Sequence, residues 1–176
     1  MKLLACPKCH QQLHLENKTL KCENNHCYDI SKRGYINLLL NPDKATNNPG
    51  DSKESLVARK AYLNKGYYDP ILNQVITCID EFKHQDDLSI LDLGCGEGYY
   101  TQGLKKHFEN SDIYGLDISK IAIDMATRYR KDVTWLVGNS KNIPILDHSL
   151  DFICALFTVV NQDELKRALK EDGYIV

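Results

Sequence analysis

Between residues 88 and 117 the chain reads LSILDLGCGEGYYTQGLKKHFENSDIYGLD, and no other stretch narrows the fold as much. Leu88 to Leu93 is an apolar run of strand length. It breaks into Gly94-Cys95-Gly96-Glu97-Gly98, after which Tyr99-Tyr100-Thr101 starts a helical pattern. Ile113 to Leu116 is a second strand that ends in Asp117. The alternation continues with a helix from Ser119 to Arg130, a strand from Val133 to Val137 and the loop Gly138-Asn139-Ser140. A strand from Leu150 to Leu156 and a helix from Gln162 to Leu169 follow, and Tyr174-Ile175-Val176 begins a fifth strand. Short apolar strands separated by helical segments predict an α/β fold, an open doubly wound parallel sheet with helices on both faces. Such a sheet seldom stops at that point, so the sequence is expected to end inside its fold.

The glycine turn carries chemistry. Gly94, Gly96 and Gly98 let the backbone approach a ligand closely, and the N–H groups at the helix start favour an anion. An acid at the end of the second strand, Asp117, can accept from both hydroxyls of a ribose. Gly-x-Gly-x-Gly alone is a common turn. The dinucleotide fingerprint needs its third glycine at position 99, where Tyr99 stands. With Asp92 opening the turn and an aromatic pair closing it, LDLGCGEGYYT favours S-adenosylmethionine.

Four of the seven cysteines lie in the first 27 residues. Clustered cysteines without a secretory signal point to metal more than to disulfides. Cys6-x2-Cys9, a gap of twelve residues, then Cys22-x3-His26 is the spacing of a tetrahedral zinc site. Pro7 fixes a backbone angle between the first two ligands. Gln12 to Leu15 alternates and runs into Glu16-Asn17-Lys18, a short hairpin. For the fourth position Cys27, His10 and His14 compete with His26. Four protein ligands leave no place for water, so a structural role is expected. Cys78, Cys95 and Cys154 lie in apolar contexts and read as packing residues.

The intervening segments are less specific. Residues 41–50, rich in Asn, Pro, Asp and Gly, read as a linker. Asp51 is placed as the cap of a helix, with Glu54 answering it in a capping box; Leu56 and Leu63 share one side and Arg59 and Lys60 another. A second helix starts at Pro70 and places Ile71, Leu72, Val75, Ile76, Ile79 and Phe82 at helical spacing. The net charge of −2 conceals an asymmetry: residues 1–65 carry 11 Lys and Arg against 6 Asp and Glu, and the rest 11 against 18. A basic amino-terminal third, with Lys32-Arg33 beside aromatics, suits a polyanion such as RNA, although a solvated turn before a buried strand explains the same pair. No apolar run approaches the roughly 20 residues of a membrane span. Only Met1 and Lys2 precede Leu3-Leu4-Ala5-Cys6, so no signal peptide is read, and a cytoplasmic protein without membrane contact is expected.

Taken end to end, the chain resembles the zinc-containing bacterial methyltransferases that modify N1 of a guanine in 23S ribosomal RNA. The carrying segments are CPKC and CENNH, DISKRGYINLLL, PGDSKESLVARKAYLNKGYYDPI, LDLGCGEGYYT, GLDISKIAI and DFICALFTVV. The resemblance implies a class I methyltransferase sheet, Rossmann-like and incomplete here, preceded by a small zinc-binding domain. It implies zinc at Cys6, Cys9, Cys22 and His26. S-adenosylmethionine contacts are implied at Tyr68, Gly94, Gly96, Gly98, Tyr100, Thr101 and Asp117. Asn139 stands where many methyltransferases place an acid facing the adenine amino group. The implied division is 1–40 for zinc and RNA, 41–69 for a linker and capping helix, and 70–176 for the methyl donor. A 23S rRNA hairpin is the implied partner, and a homodimer the implied assembly. Relatives often carry a small residue and a proline after the fourth strand, where this chain has Phe157-Thr158-Val159. Those that continue further supply more sheet, so an open edge is expected at the fourth or fifth strand.

The implied reaction is an in-line displacement in which alignment supplies much of the rate. The target base has to leave its stack. The sequence assigns no catalytic base; Asp51 and Asp29 are candidates whose alternative roles are cap and turn residues. Two rival readings stand beside this one: a small-molecule methyltransferase, and an inactive zinc-dependent RNA-binding remnant.

Overall fold

The computed structural model describes residues 1–40 and 50–176; most of the expected linker lies outside the described residues. The amino-terminal lobe is a three-stranded antiparallel sheet of β1 (His14–Glu16), β2 (Thr19–Lys21) and β3 (Cys27–Asp29). The hairpin between β1 and β2 turns at Asn17, whose positive φ of 59° suits that residue type.

The larger sheet contains β4 (Ile36–Asn37), β5 (Ser89–Leu93), β6 (Asp112–Asp117), β7 (Thr134–Val137), β8 (Leu150–Cys154) and β9 (Leu169–Ile175). Its order is β4-β7-β6-β5-β8-β9, and every pairing within it is parallel. The helices are α1 (Lys53–Leu63), α2 (Asp69–Phe82), α3 (Tyr99–His107), α4 (Lys120–Ala126) and α5 (Gln162–Ala168). The chain reverses direction across the sheet at β5, whose neighbours are β6 on one side and β8 on the other. In open α/β sheets that is where a crevice forms beyond the strand ends.

The two-residue period of the strands sorts side chains onto two faces. Ile90 and Ile113 join Val75 and Ile79 of α2, Leu104 of α3 and Ile123 of α4 in one core. Leu91, Leu93 and Leu116 face the other way, into a core with Leu165 and Ala168 of α5 and with Leu4, Cys6, Leu13, Leu20 and Cys22 of the zinc lobe. One face is therefore covered by three helices, and the other by α5 and the zinc lobe together.

Several expectations are corrected in detail. The cap of α1 is Ser52, whose Oγ accepts from the Ser55 N–H at 3.2 Å, because Asp51 is engaged by Arg59. Helix α4 stops at Ala126 instead of Arg130. The fifth strand opens at Leu169, directly after α5, and is irregular between its pairings with Leu150 and Phe152. The buried strand weighed after the Lys32-Arg33 turn is β4, which extends the sheet beyond β7 through Ile36 and Asn37. The open edge falls at β9, with Ile175 half exposed.

Candidate functional site: a zinc knuckle beside an acidic cavity

Cys6, Cys9, Cys22 and His26 come together with all ligand atoms within 4.8 Å of one another. A tetrahedron with Zn–S of about 2.3 Å and Zn–N of about 2.0 Å has S···S edges of about 3.75 Å and S···N edges of about 3.5 Å. The observed edges are 3.7 Å for Cys9–Cys22, 3.4 Å for Cys6–His26 and 3.5 Å for Cys22–His26. The donor set therefore fits a zinc ion, with Nδ1 of His26 as the nitrogen ligand. The Tyr28 hydroxyl lies 3.3 Å from the Cys6 sulfur, placed to donate to a thiolate as an outer-shell partner. A backbone hydrogen bond at Gln11 pushes the Cys9 thiol down to about 6, while burial pushes that of Cys22 up. Cys27 points away and is exposed, and His10 and His14 are also exposed and outside the cluster.

The second feature is a cavity of about 670 Å³ at the carboxyl ends of β5, β6 and β8, within the usual range for small-ligand sites. Its walls include Tyr68, Asp92, Gly94, Gly96, Glu97, Tyr100, Asp117, Arg59 and Phe157. A smaller hollow of about 230 Å³ adjoins it, sharing Gly94, Asp117, Ile118, Thr158 and Val159 and adding Gly138, Asn139 and Ser140. The glycine turn shapes this surface through three left-handed residues. At Gly94, with φ +76°, a Cβ would sit 2.5 Å from that of Thr158. Gly98 serves packing instead: a Cβ there would meet the Trp135 ring at 2.6 Å.

The cavity is lined by acid. Burial pushes Asp92 up to about 7, helped by the charges of Asp117 and Glu97 and opposed by a 2.5 Å hydrogen bond from the Thr101 hydroxyl. Burial also raises Glu97 and Asp117. Asp117 is fixed by two N–H donors, Gly96 to Oδ2 at 2.9 Å and Ser119 to Oδ1 at 2.7 Å. The Tyr100 hydroxyl is buried among these walls with no hydrogen-bond partner. S-adenosylmethionine carries a sulfonium, an ammonium, a carboxylate and a ribose diol. Three crowded carboxylates suit the cationic groups, Arg59 suits the carboxylate, and a carboxylate such as Asp117 keeps lone pairs for a diol after accepting two N–H bonds.

Of the residues expected at the cofactor, Tyr68, Gly94, Gly96, Tyr100 and Asp117 line the larger cavity and Asn139 the smaller. The Asn139 oxygen accepts from the Lys141 N–H at 3.0 Å, and a carbonyl oxygen can take a second bond. Thr101 and Gly98 do not line either space; Thr101 is fully buried and acts on Asp92. Arg59 and Glu97 were missed as site residues, although the polar side of α1 carried the signal for Arg59. The basic surface is also reduced. Arg33 stands in a tight turn and pairs with Asp124 at 2.9 Å, and Lys60 lies 3.4 Å over the Tyr129 ring. Asp29 accepts from the Thr19 hydroxyl on the zinc lobe, and Asp51 pairs with Arg59.

Residues 4–45 match the zinc-ribbon family described as RlmA, N-terminal, and residues 90–173 match a methyltransferase domain family. The whole chain aligns at 28% identity with the 23S rRNA (guanine(748)-N(1))-methyltransferase of Streptomyces fradiae. The larger sheet with its helices therefore has the class I methyltransferase fold, and the amino-terminal lobe is similar to the RlmA zinc ribbon. A second relative is YxjB of Bacillus subtilis, provisionally named a 23S rRNA (guanine-N(1)-)-methyltransferase, 30% identical over 99% of the chain. The chain spans 62% of the Streptomyces protein and 63% of the Bacillus one. Among solved structures, a TehB-like SAM-dependent methyltransferase from Corynebacterium glutamicum superposes with a TM-score of 0.54 at 26% identity, covering 69% of each chain. The methyltransferase fold and the zinc-ribbon match with its Cys/His cluster support S-adenosylmethionine and a structural zinc ion as cofactors. Among the described residues no helix is long and apolar enough to cross a membrane.

Proposed function

We propose that this chain transfers a methyl group to N1 of a guanine in a hairpin loop of 23S ribosomal RNA. The observation that carries this reading is the end-to-end alignment with relatives named for that reaction, which takes in both the zinc ligands and the cavity walls. S-adenosylmethionine supplies a sulfonium-activated methyl, which guanine N1 takes as S-adenosylhomocysteine and the N1 proton depart. Asp92 and Glu97 would hold the cationic end of the donor, Asp117 its ribose and Asn139 its adenine. Arg59 and the Tyr100 hydroxyl would take its carboxylate. Alignment of this kind is the main catalytic means open to the protein.

The zinc lobe would hold RNA. Lys2, Lys8, Lys18 and Lys32 are exposed on it, and such cations bind phosphate without sequence preference. The division of labour follows: residues 1–40 for zinc and RNA, α1 with its preceding linker as a cap, and 70–176 for the donor. The partner is a ribosomal RNA hairpin in the cytoplasm, and family resemblance adds a homodimer.

The test is methyl transfer from labelled S-adenosylmethionine to a 23S rRNA hairpin, mapped by reverse transcription. A methyl on N1 blocks the pairing edge of guanine, so the product is expected to show a new stop opposite one loop guanine. Label confined to a small metabolite, or no label with cofactor bound, would replace this reading with one of its rivals.

A further inference from the structure

Phe157 combines three properties that rarely coincide. It sits in the left-handed region at φ 56°, a conformation that is an outlier for a bulky side chain. Its ring is 79% exposed, so burial does not compensate the strain. It nevertheless lines the donor cavity, edge-on to Tyr68 with centroids 6.2 Å apart. The neighbouring Thr158 fixes the segment by packing on Gly94, so the ring is held at the rim, next to the glycine turn. Strain that the surroundings do not require for packing tends to mark a site where geometry is used.

A guanine that reaches this cavity has left its stack and exposes two bare faces. Unstacked bases are received on aromatic rings, whose faces accept any base. We propose that Phe157 is the stacking platform for the target guanine, presented at the cavity rim by the left-handed backbone, with Tyr68 bordering the same slot. The proposal rests on the reading of the preceding subsection and deepens it: Phe157 positions the base, and the acidic walls hold the donor.

The experiment compares the chain with Phe157→Ala, Phe157→Leu, Phe157→Trp and Phe157→Gly. The probes are a 23S rRNA hairpin and a set of hairpins in which each loop guanine in turn is abasic. The parent is expected to bind one abasic hairpin on the order of 10- to 100-fold more weakly than the intact one, the size of a base–aromatic contact. Phe157→Ala, Phe157→Leu and Phe157→Gly should bind both equally, at the abasic level, while Phe157→Trp keeps the preference. Calorimetric affinity for S-adenosylmethionine should be unchanged in all four. Phe157→Gly should also melt no lower than the parent, because glycine accepts this φ without strain. If the parent distinguishes the hairpins and Phe157→Ala does so equally, the platform is elsewhere and the RNA reading survives. Loss of cofactor affinity in Phe157→Ala would overturn the proposal by making the ring part of the donor site. Failure of the parent to bind the intact hairpin better than an unrelated RNA would remove both readings together.

Discussion

Asp92 is a buried carboxyl whose ionisation is tied to the fold. Its carboxyl sits at about 7 in the fold, chiefly through burial, against about 3.9 in an unfolded chain. The folded state therefore holds a proton that the unfolded state releases between those values, and stability falls as pH rises across that window. A cation bound against Asp92 favours the ionised form and works in the opposite direction. Affinity for S-adenosylmethionine is accordingly expected to rise with pH up to about 7, by as much as tenfold per unit for full coupling. Proton release on binding below that pH should appear as a buffer-dependent heat. Asp92→Asn is expected to flatten both dependences and to weaken binding at pH 8. Affinity that stays constant from pH 5.5 to 8 in the parent chain would show that the donor's charge lies away from this group. Much of the cavity lining was legible from residue types, because Gly94, Gly96 and Asp117 are placed there by backbone conformation and a fixed strand end. Arg59 was legible only as part of the polar side of α1, because local sequence does not encode how that helix lies over the turn that holds Glu97.

Among the elements, the loop between β7 and β8 is tied from two sides. Asn142 Nδ2 donates to the Pro7 carbonyl at 2.8 Å, the Ala5 N–H to Pro144 at 3.0 Å and the Leu146 N–H to Leu3 at 2.9 Å, all from or to the zinc lobe. From the other side Arg167 of α5 donates to the carbonyls of Ile143 and Ile145 and to Asp147 and Glu164. Glu164 returns a bond from the Ile143 N–H. Arg167→Ala removes the guanidinium bonds to two carbonyls and to the largely buried Glu164, which keeps its bond from the Ile143 N–H, and is expected to cost about 2–4 kcal/mol. Arg167→Lys should recover only part, because an ammonium cannot fork across these acceptors. Urea unfolding measures both; equal stability of parent and Arg167→Ala would mean that water replaces the guanidinium without loss. The strands of the large sheet were readable because both faces are buried and the apolar runs are continuous. Strand β4 was legible only as one alternative, without bounds or a partner, because two residues carry no period and only pairing with β7 makes Ile36 and Asn37 a strand. The shift of the α1 cap from Asp51 to Ser52 has a similar origin, a tertiary partner competing with local capping.

At the scale of the whole molecule, the zinc lobe is less independent than its sequence suggests. Cys6 and Cys22 are themselves buried in the core that contains Leu91, Leu136 and Ile153, and β4 continues the large sheet. Removing the metal leaves thiolates with strong mutual repulsion inside that core, or thiols that no longer close the loop between residues 6 and 26. Structural zinc sites of this size supply folding free energy directly. A strong chelator is therefore expected to lower a single cooperative melting transition and not to split it in two. The loss should also reach the donor cavity, because Pro7 and Ala5 hold the loop that carries Asn139. Near-ultraviolet circular dichroism of Trp135, which packs against Gly98 behind the glycine turn, reports that end of the molecule separately from zinc content. One zinc per chain in Cys27→Ser and less in Cys9→Ser would fix the ligand set in the same preparation. If the chelated chain kept its Trp135 signal and its affinity for S-adenosylmethionine while zinc fell to zero, the shared core would be a contact without energetic coupling. The two lobes would then fold as separate units.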